Sequence, residues 1–240
     1  MKKILMITLL AATVWACNKD LESEGISRIT YFPEFVKEGE DFYIINENEE
    51  FVDPGITVLE QGQEIPFSTT FQGRYSGYTG STIGEEADQY SLVYNAVNKE
   101  GFPASSSRTI VKVNTGDLVN SISGLYSSKS VRVSGVTYDP VRVLIWEVEP
   151  NVYEISCSVG GFYADGRGDG DVSLARGGTI VVNDLATNDF TFTPAFFESF
   201  QLNVAITSMT VDPATKTITF VSEGDFANGK WTVTLTQIQP

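Results

Sequence analysis

The chain has 240 residues, long enough for two domains of about 100 residues each or one large β domain, and its hydrophobic share of 42% excludes wholesale disorder. Its 31 acidic and 16 basic residues give a net charge of −15, which repels phosphate backbones and predicts no nucleic-acid partner. The sequence has no histidine, so Ser/His/Asp catalysis, Cys/His catalysis and His-containing zinc sites are excluded.

The first 17 residues have the pattern of an export signal. Two lysines precede an apolar run of about twelve residues, which is too short to cross a hydrocarbon core of about 30 Å as a helix. The segment ends in Val14-Trp15-Ala16-Cys17, which resembles the lipobox of bacterial lipoproteins. This resemblance implies a lipoprotein signal peptide and a Cys17 thiol that carries diacylglycerol. An ordinary secretory leader with an incidental cysteine is the alternative.

Residues 18–26 are polar and include three acids, so we expect them to form a short tether without regular structure. Acidic residues directly after the cysteine resemble the surface-export signal of lipoproteins from Gram-negative gut commensals. This resemblance implies an outer-membrane lipoprotein displayed at the cell surface. The periplasmic face of the same membrane is the alternative location.

From residue 27 onward the chain alternates apolar and polar residues in short runs, and Gly, Pro, Asn and Asp separate these runs. No segment keeps the helical spacing of apolar residues for three turns, so the pattern predicts an all-β fold of antiparallel strands. Six short strands in the first half suit a β-sandwich. They are predicted at residues 29–36, 42–45, 55–59, 65–71, 89–97 and 108–113.

Three pieces of this first half occur in the order of a known repeat. They are Asp53-Pro54-Gly55, the tyrosine-rich run 88–101 and the closing run 108–113. Together they resemble the bacterial Ig-like repeat of cell-surface proteins, so residues 27–115 are expected to form an Ig-like β-sandwich domain. That family serves as a spacer or presentation module, and the resemblance implies no active site.

Turn residues at 114–117 separate this block from a second one, which we place at residues 118–240. Hairpins are readable at 150–151, 212–216 and 224–229. Strands joined mostly by hairpins predict an antiparallel β-meander, barrel-like or folded as a sandwich, with the barrel-like form favoured. The strands of this C-terminal antiparallel β domain are predicted at residues 124–134, 142–149, 152–159, 179–183, 190–193, 202–211, 217–221 and 230–238.

Residues 160–171 are the most unusual segment, with five glycines and three aspartates. Asp165, Asp169 and Asp171 offer oxygen ligands for calcium, and no other cofactor is predicted. The segment departs from the EF-hand pattern, because Arg167 stands where a further oxygen ligand belongs. A mobile surface loop without a metal is therefore the favoured interpretation.

Glycan sites in β domains use exposed aromatic faces, which pack on the C–H surfaces of sugars, and carboxylates that hold the hydroxyls. The candidates are Phe162 and Tyr163 in the glycine-rich segment, Trp146 in a predicted strand and Trp231 near a hairpin. A core position is the favoured interpretation for Trp146, because its neighbours along the chain are apolar, and for Trp231 a core position and an exposed one are both open. Cys157, the cysteine outside the leader, is predicted to be a buried hydrophobe.

The order of lipobox, Ig-like domain and β domain resembles a family of two-domain lipoproteins of unknown function from Gram-negative gut commensals. Members lie beside outer-membrane glycan import systems. The resemblance implies carbohydrate binding, of a polysaccharide or oligosaccharide, as an accessory to uptake, with an outer-membrane transporter as partner. A structural or adhesive envelope component that presents its second domain to a protein partner is the alternative. No spacing pairs two carboxylates across a cleft, so we expect no enzyme.

Overall fold

The computed structural model describes residues 29–239, and its regular secondary structure consists almost entirely of strands, which confirms the predicted all-β class. The predicted leader, the lipidation site Cys17 and the tether at 18–26 lie outside the described residues. Within residues 29–239, no helix has the length and apolar character needed to cross a bilayer.

The first half contains eight strands in two sheets, with the order β1-β3-β4 in one and β2-β8-β7-β5-β6 in the other. All neighbours pair antiparallel except β2, which runs parallel to β8. The strands are β1 (Glu34–Lys37), β2 (Phe42–Ile45), β3 (Ile56–Glu60), β4 (Gln63–Glu64), β5 (Phe67–Gly73), β6 (Thr79–Gly80), β7 (Asp88–Val97) and β8 (Pro103–Lys112).

The two sheets of the first half enclose one hydrophobic core. Tyr90, Leu92 and Tyr94 occupy every second position of β7 and point inward, as the alternating sequence of this strand predicts. Side chains from the other sheet pack on this cluster, among them Phe35 of β1 and Ile56 of β3. Both sheets therefore bury their inner faces against each other, which is the sandwich arrangement that the sequence predicts.

The second half forms one ten-stranded sheet with the order β12-β15-β16-β17-β18-β9-β10-β11-β13-β14. The first strand of this half, β9, pairs with the last, β18, as it would in a barrel. The strands are β9 (Gly124–Arg132), β10 (Thr137–Glu149), β11 (Val152–Ile155), β12 (Ala175–Arg176), β13 (Thr179–Asp184), β14 (Asp189–Phe192), β15 (Ala195–Phe197), β16 (Leu202–Asp212), β17 (Thr217–Gly224) and β18 (Lys230–Gln237).

This sheet is a half-barrel and does not close. Among the described residues, β12 and β14 remain its two edges. The three predicted hairpins are confirmed, since β10 pairs with β11, β16 with β17, and β17 with β18. The predicted barrel-like meander is therefore confirmed in its hairpins and in the pairing of its first strand with its last. The sheet stays open between β14 and β12, so the barrel is not closed.

The strand predicted at 152–159 ends earlier, at Ile155. Beyond that residue the chain turns inward, and the N–H of Leu144 donates a hydrogen bond to the Ser156 hydroxyl oxygen (3.0 Å). Gly160 and Gly161 follow with positive φ and lead into a short π-helix at Phe162–Arg167. The chain here departs from the sheet because two successive left-handed residues reverse its direction.

The two halves meet in a shared hydrophobic cluster. Val111 and Val113 at the end of the first half are buried together with Leu118 and Ile122 from the segment that leads into β9. Tyr75, from the loop after β5, joins the same cluster. The predicted division into domains at 27–115 and 118–240 stays a prediction, but a buried apolar interface joins the two blocks.

Candidate functional site

A cleft of about 410 Å³ opens where the two halves meet. Residues of both halves line it, so neither half forms this cleft alone. The lining residues are Glu47, Tyr75, Ser76, Glu86 and Ala87 from the first half, and Trp146, Glu147, Val148, Glu154 and Arg176 from the second. The cleft combines two aromatic rings, four carboxylates and one guanidinium.

Trp146 lies at the centre of this lining. Its neighbour Ile145 points into the core of the half-barrel, so the alternation of β10 directs the indole to the outer face. The ring stacks on Tyr75 of the first half, with centroids 5.8 Å apart and planes inclined by 14°. Trp146 is half-buried, so part of its ring remains open to the cleft.

The loop that carries Tyr75 is fixed by Asp88 at the start of β7. The Asp88 carboxylate accepts hydrogen bonds from the N–H groups of Tyr75 and Ser76 (both 2.9 Å) and from the Ser76 hydroxyl (2.6 Å). Arg176 of the second half donates to the Tyr75 carbonyl oxygen. The aromatic pair is therefore held rigidly before any ligand arrives.

The Tyr75 hydroxyl is buried, and this burial raises the pKa of the phenol above its ordinary value. The guanidinium of Arg176 lies 5.5 Å from the centroid of the Tyr75 ring. At neutral pH the aromatic pair is therefore uncharged, and among residues 29–239 Arg176 is the only cation in the lining of the cleft.

Four carboxylates rim the cleft, and among residues 29–239 none of them forms an ion pair. Glu147 accepts a hydrogen bond from the N–H of Asn151 (2.8 Å), and Glu47 accepts a longer one from the N–H of Asn114 (3.4 Å). Carboxylate oxygens have several acceptor positions, so each can also hold a hydroxyl group.

Two further clefts adjoin the first. One, of about 440 Å³, shares Glu47, Glu147 and Val148 with it and continues toward Pro150. The other, of about 320 Å³, shares Trp146, Glu154 and Arg176 and continues toward Phe196. Shared walls make the three clefts one groove along the junction of the halves, with Trp146 near its middle. We call it the junction groove.

Of the predicted aromatic candidates, only Trp146 lies in the junction groove. The expectation that Phe162, Tyr163 and Trp231 are exposed is wrong, since their exposed fractions are 2%, 1% and 0%. They form an aromatic cluster, with ring centroids 4.9 Å apart for Phe162 and Tyr163 and 6.1 Å apart for Tyr163 and Trp231. The π-helix turns its two aromatic rings inward, and the core of the half-barrel buries them.

The three aspartates of the glycine-rich segment do not converge as calcium ligands. Asp165 and Asp171 both bind the guanidinium of Arg74 from the first half, each at 2.6 Å. Asp169 pairs with Arg167 at 2.6 Å. Within residues 29–239, no group of three acidic, cysteine or histidine side chains is placed to hold a metal. The guanidinium groups of Arg74 and Arg167 neutralise these carboxylates.

The segment also differs from the mobile loop that the sequence favours. Phe162, Tyr163 and Ala164 are buried in it, and the N–H of Gly166 donates to the carbonyl of Gly161 (3.0 Å). Cys157, just before the segment, is buried as predicted, and burial raises the pKa of its thiol.

Sequence reasoning missed most of the groove. Tyr75, Glu86 and Arg176 lie in separate segments, and no spacing in the sequence connects them to Trp146. The one usable signal was the long apolar strand around Trp146, whose alternation places the indole on the opposite face from Ile145.

The carboxy-terminal half matches a known protein family. Residues 115–237 match a family model described as "-like, C-terminal domain". No curated protein matches the chain. Among solved structures, the fold is similar to the crystal structure of the lipoprotein BT2262 from Bacteroides thetaiotaomicron, with a TM-score of 0.62 and 23% identity. The match covers 86% of this chain and 100% of the other, and at this identity it shows a shared fold.

Proposed function

The chain belongs to the family whose "-like, C-terminal domain" model matches residues 115–237, and from this premise we propose that it is a lipid-anchored envelope protein that binds glycan chains noncovalently. The ligand is a polysaccharide or oligosaccharide, and the site is the junction groove. The lipobox-like segment ending at Cys17 supports the anchor, as does the similar fold of a protein that is itself a lipoprotein.

The observation that carries the proposal is the half-exposed ring of Trp146 on its Tyr75 support. A fixed aromatic face offers apolar surface to the C–H groups of a sugar ring without a loss of side-chain entropy on binding. The carboxylates along the rim, Glu147 and Glu154 beside the indole, accept hydrogen bonds from the sugar hydroxyls. An open groove, unlike a closed pocket, leaves room for a chain to extend on both sides of Trp146.

The rim also favours one class of glycan. Seven carboxylates and a single guanidinium line the three clefts of the groove and make it acidic, so uronic-acid or sulfated chains would meet like charges at short range. Neutral glycans fit these groups better. The proposed ligand is therefore an uncharged polysaccharide or oligosaccharide.

Affinity electrophoresis through gels that contain single polysaccharides tests the proposal. We expect retardation by at least one neutral dietary or host glycan, and little by anionic ones. Trp146→Ala should weaken binding about tenfold or more, because a central aromatic anchor carries a large share of binding energy. Phe32→Ala removes an exposed ring outside the groove and should leave retardation unchanged.

Absence of retardation on a broad glycan array, or equal losses in both variants, would contradict the proposal. Product release from a polysaccharide mixture would instead indicate an enzyme. Capture of a protein partner by the folded chain, with every glycan inert, would favour the structural or adhesive alternative.

The proposed place of action is the outer face of the outer membrane, where an accessory to an outer-membrane transporter would meet polysaccharide. The acidic tether after Cys17 supports this location. Added protease should degrade the protein on intact cells, whereas full protection would favour the periplasmic face.

A further inference from the structure

A group of exposed apolar side chains lies at one end of the first half. These side chains are between 45% and 73% exposed, although contiguous groups of large hydrophobic side chains are usually buried or form an interface. We call this group the aromatic end, and it consists of Ile29, Tyr31, Phe32, Val97 and Phe102.

The aromatic end is one connected surface. The rings of Phe32 and Phe102 have centroids 5.9 Å apart. The Asn98 side chain links the two segments, since its Nδ2 donates to the Tyr31 carbonyl (2.8 Å) and its Oδ1 accepts from the Phe102 N–H (2.8 Å). Val97 pairs with Pro103 at the end of the β7–β8 ladder. The backbone around the patch is therefore fixed.

The patch occupies the tip of the β7–β8 hairpin, at the opposite end from the junction groove. At the other end of β7, Asp88 holds the loop of Tyr75, which lines the groove. Ten residues of β7, at about 3.3 Å each, separate these ends by about 30 Å. One end of the β7–β8 hairpin thus carries the apolar patch, and the other end adjoins the junction groove.

The amino-terminal chain enters the fold at the aromatic end, because Ile29 is both part of the patch and the first described residue. Residues 18–28 connect it to Cys17, and a fully extended chain spans at most about 3.5 Å per residue. A lipid on Cys17 would therefore lie within about 40 Å of the patch even at full extension.

We propose that the aromatic end rests on the lipid surface in which the Cys17 acyl chains are inserted, and so orients the protein. Phenylalanine, tyrosine and aliphatic side chains favour the boundary between headgroups and acyl chains. This inference rests on the anchor part of the proposed function, and it does not depend on glycan binding.

The patch sets orientation rather than affinity. The net charge of −15 opposes approach to anionic lipid, and the acyl chains already hold the protein at the membrane. Lys99, 63% exposed beside the patch at the hairpin tip, lies 3.9 Å from the Glu60 carboxylate, so its charge is already balanced there. In this orientation the hairpin holds the junction groove about 30 Å from the lipid, open to long glycans.

The test uses a chain that begins at Cys17, coupled through that thiol to a maleimide lipid. Cys157 is 1% exposed, and burial raises the pKa of its thiol, so the reagent selects Cys17. The coupled protein is placed on vesicles of phosphatidylethanolamine and phosphatidylcholine, which carry no net charge, with and without brominated acyl chains, which quench tryptophan on contact.

Phe102→Trp reports on the aromatic end, and Phe196→Trp is the matched control on the second half, since these positions are 46% and 47% exposed. After subtraction of the emission of Trp146 and Trp231, brominated lipid should quench Phe102→Trp about twofold and leave Phe196→Trp unchanged. Tyr31→Trp serves as a second reporter should Phe102→Trp fold poorly.

Equal quenching of patch and control reporters, or none at either patch position, would overturn the inference. Either result would show that the patch does not lie selectively on the lipid. Because the lipid is attached chemically, the outcome does not depend on natural acylation. Mass spectrometry of the native protein tests that acylation, and affinity electrophoresis tests glycan binding. A failure of the orientation, of the natural anchor or of glycan binding therefore shows in a different measurement.

Discussion

Arg108 is a buried cation of the first half that is held entirely by oxygen atoms. Its Nε donates to the Tyr94 hydroxyl (2.8 Å), and its two terminal nitrogens donate to the carbonyls of Glu40 (2.5 Å) and Gly55 (2.6 Å). Asp53 lies 3.2 Å from Nε and balances the charge. This one side chain fixes the turn at Asp53-Pro54-Gly55 that the sequence marks as distinctive.

Arg108→Met should lower the free energy of unfolding by about 2 to 4 kcal/mol, because it leaves the carbonyls of Glu40 and Gly55 without their donor and the Asp53 carboxylate without its cation. Urea denaturation followed by circular dichroism measures the change. Arg167→Met, at a side chain 49% exposed, is the control and should cost less than about 1 kcal/mol. Equal effects of the two substitutions would contradict this role of Arg108.

The tyrosines of the first core predict sensitivity to alkali. Burial, together with a hydrogen bond to Asp53, raises the pKa of Tyr94 to about 12. An unfolded tyrosine has a pKa of about 10, so this contribution to stability is fully present below pH about 10 and is lost as pH rises through about 12.

The free energy of unfolding should therefore fall between these two pH values, and tyrosinate absorbance should rise with unfolding. Urea titrations at several alkaline pH values provide the measurement. Tyr94→Phe should flatten the pH dependence while lowering stability at neutral pH. An unchanged slope in that variant would show that other groups cause the alkaline loss.

At the scale of elements, the glycine-rich segment is the most specialised part of the fold. Its π-helix is flanked by Gly161 and Gly168, both with left-handed backbones at φ of 73° and 82°. A side chain at Gly161 would collide with Cγ1 of Val141, whereas one at Gly168 would meet nothing within 4 Å. The two glycines share a conformation but differ in packing.

Gly161→Ala should destabilise the protein by about 2 to 4 kcal/mol, because backbone strain and a clash with β10 add together. Gly168→Ala should cost only the strain, about 1 to 2 kcal/mol. Thermal unfolding of both variants tests the difference. If Gly168→Ala lowers stability by as much as Gly161→Ala, the close packing of Gly161 on β10 does not explain the need for a glycine there.

At the scale of the whole molecule, charged contacts reinforce the apolar junction of the two halves. Arg74 of the first half binds Asp165 and Asp171 of the second, and Arg142 of the second lies 4.0 Å from the ring centroid of Phe42 in the first. Val113 and Leu118 are buried beneath these contacts in the shared cluster. The groove depends on this junction, because its walls come from both sides.

Arg74→Gln should lower the free energy of unfolding by about 1 to 2 kcal/mol, since its partners are partly exposed and solvent screens the pairs. Unfolding should remain a single transition, because the apolar cluster still couples the halves. Differential scanning calorimetry measures both quantities. Arg167→Gln, which loses only a pair within the glycine-rich segment, is the control.

Two separate transitions in Arg74→Gln would show that the ion pairs, and not the buried apolar contacts, join the halves. The same variant should then also bind glycan more weakly, because the two walls of the groove would no longer be held together.

The all-β class and most strands follow from the local alternation of apolar and polar residues. Predicted strands at 42–45, 89–97 and 202–211 differ from β2, β7 and β16 by no more than one residue at either end. Alternation is a local signal, since it records which face of a strand is buried. The strands β4, β6, β12 and β15 have only two or three residues, and so short a run carries no period.

Only the tertiary structure decided which side chains meet. Phe162 and Trp231 are of the residue types that a glycan site needs, yet the half-barrel core covers them, while Trp146 stays half-exposed against Tyr75. Asp165 and Asp171 of the glycine-rich segment bind Arg74, which is more than 90 residues away in sequence. Local pattern assigns a residue to a face, but what lies against that face depends on how distant segments fold together.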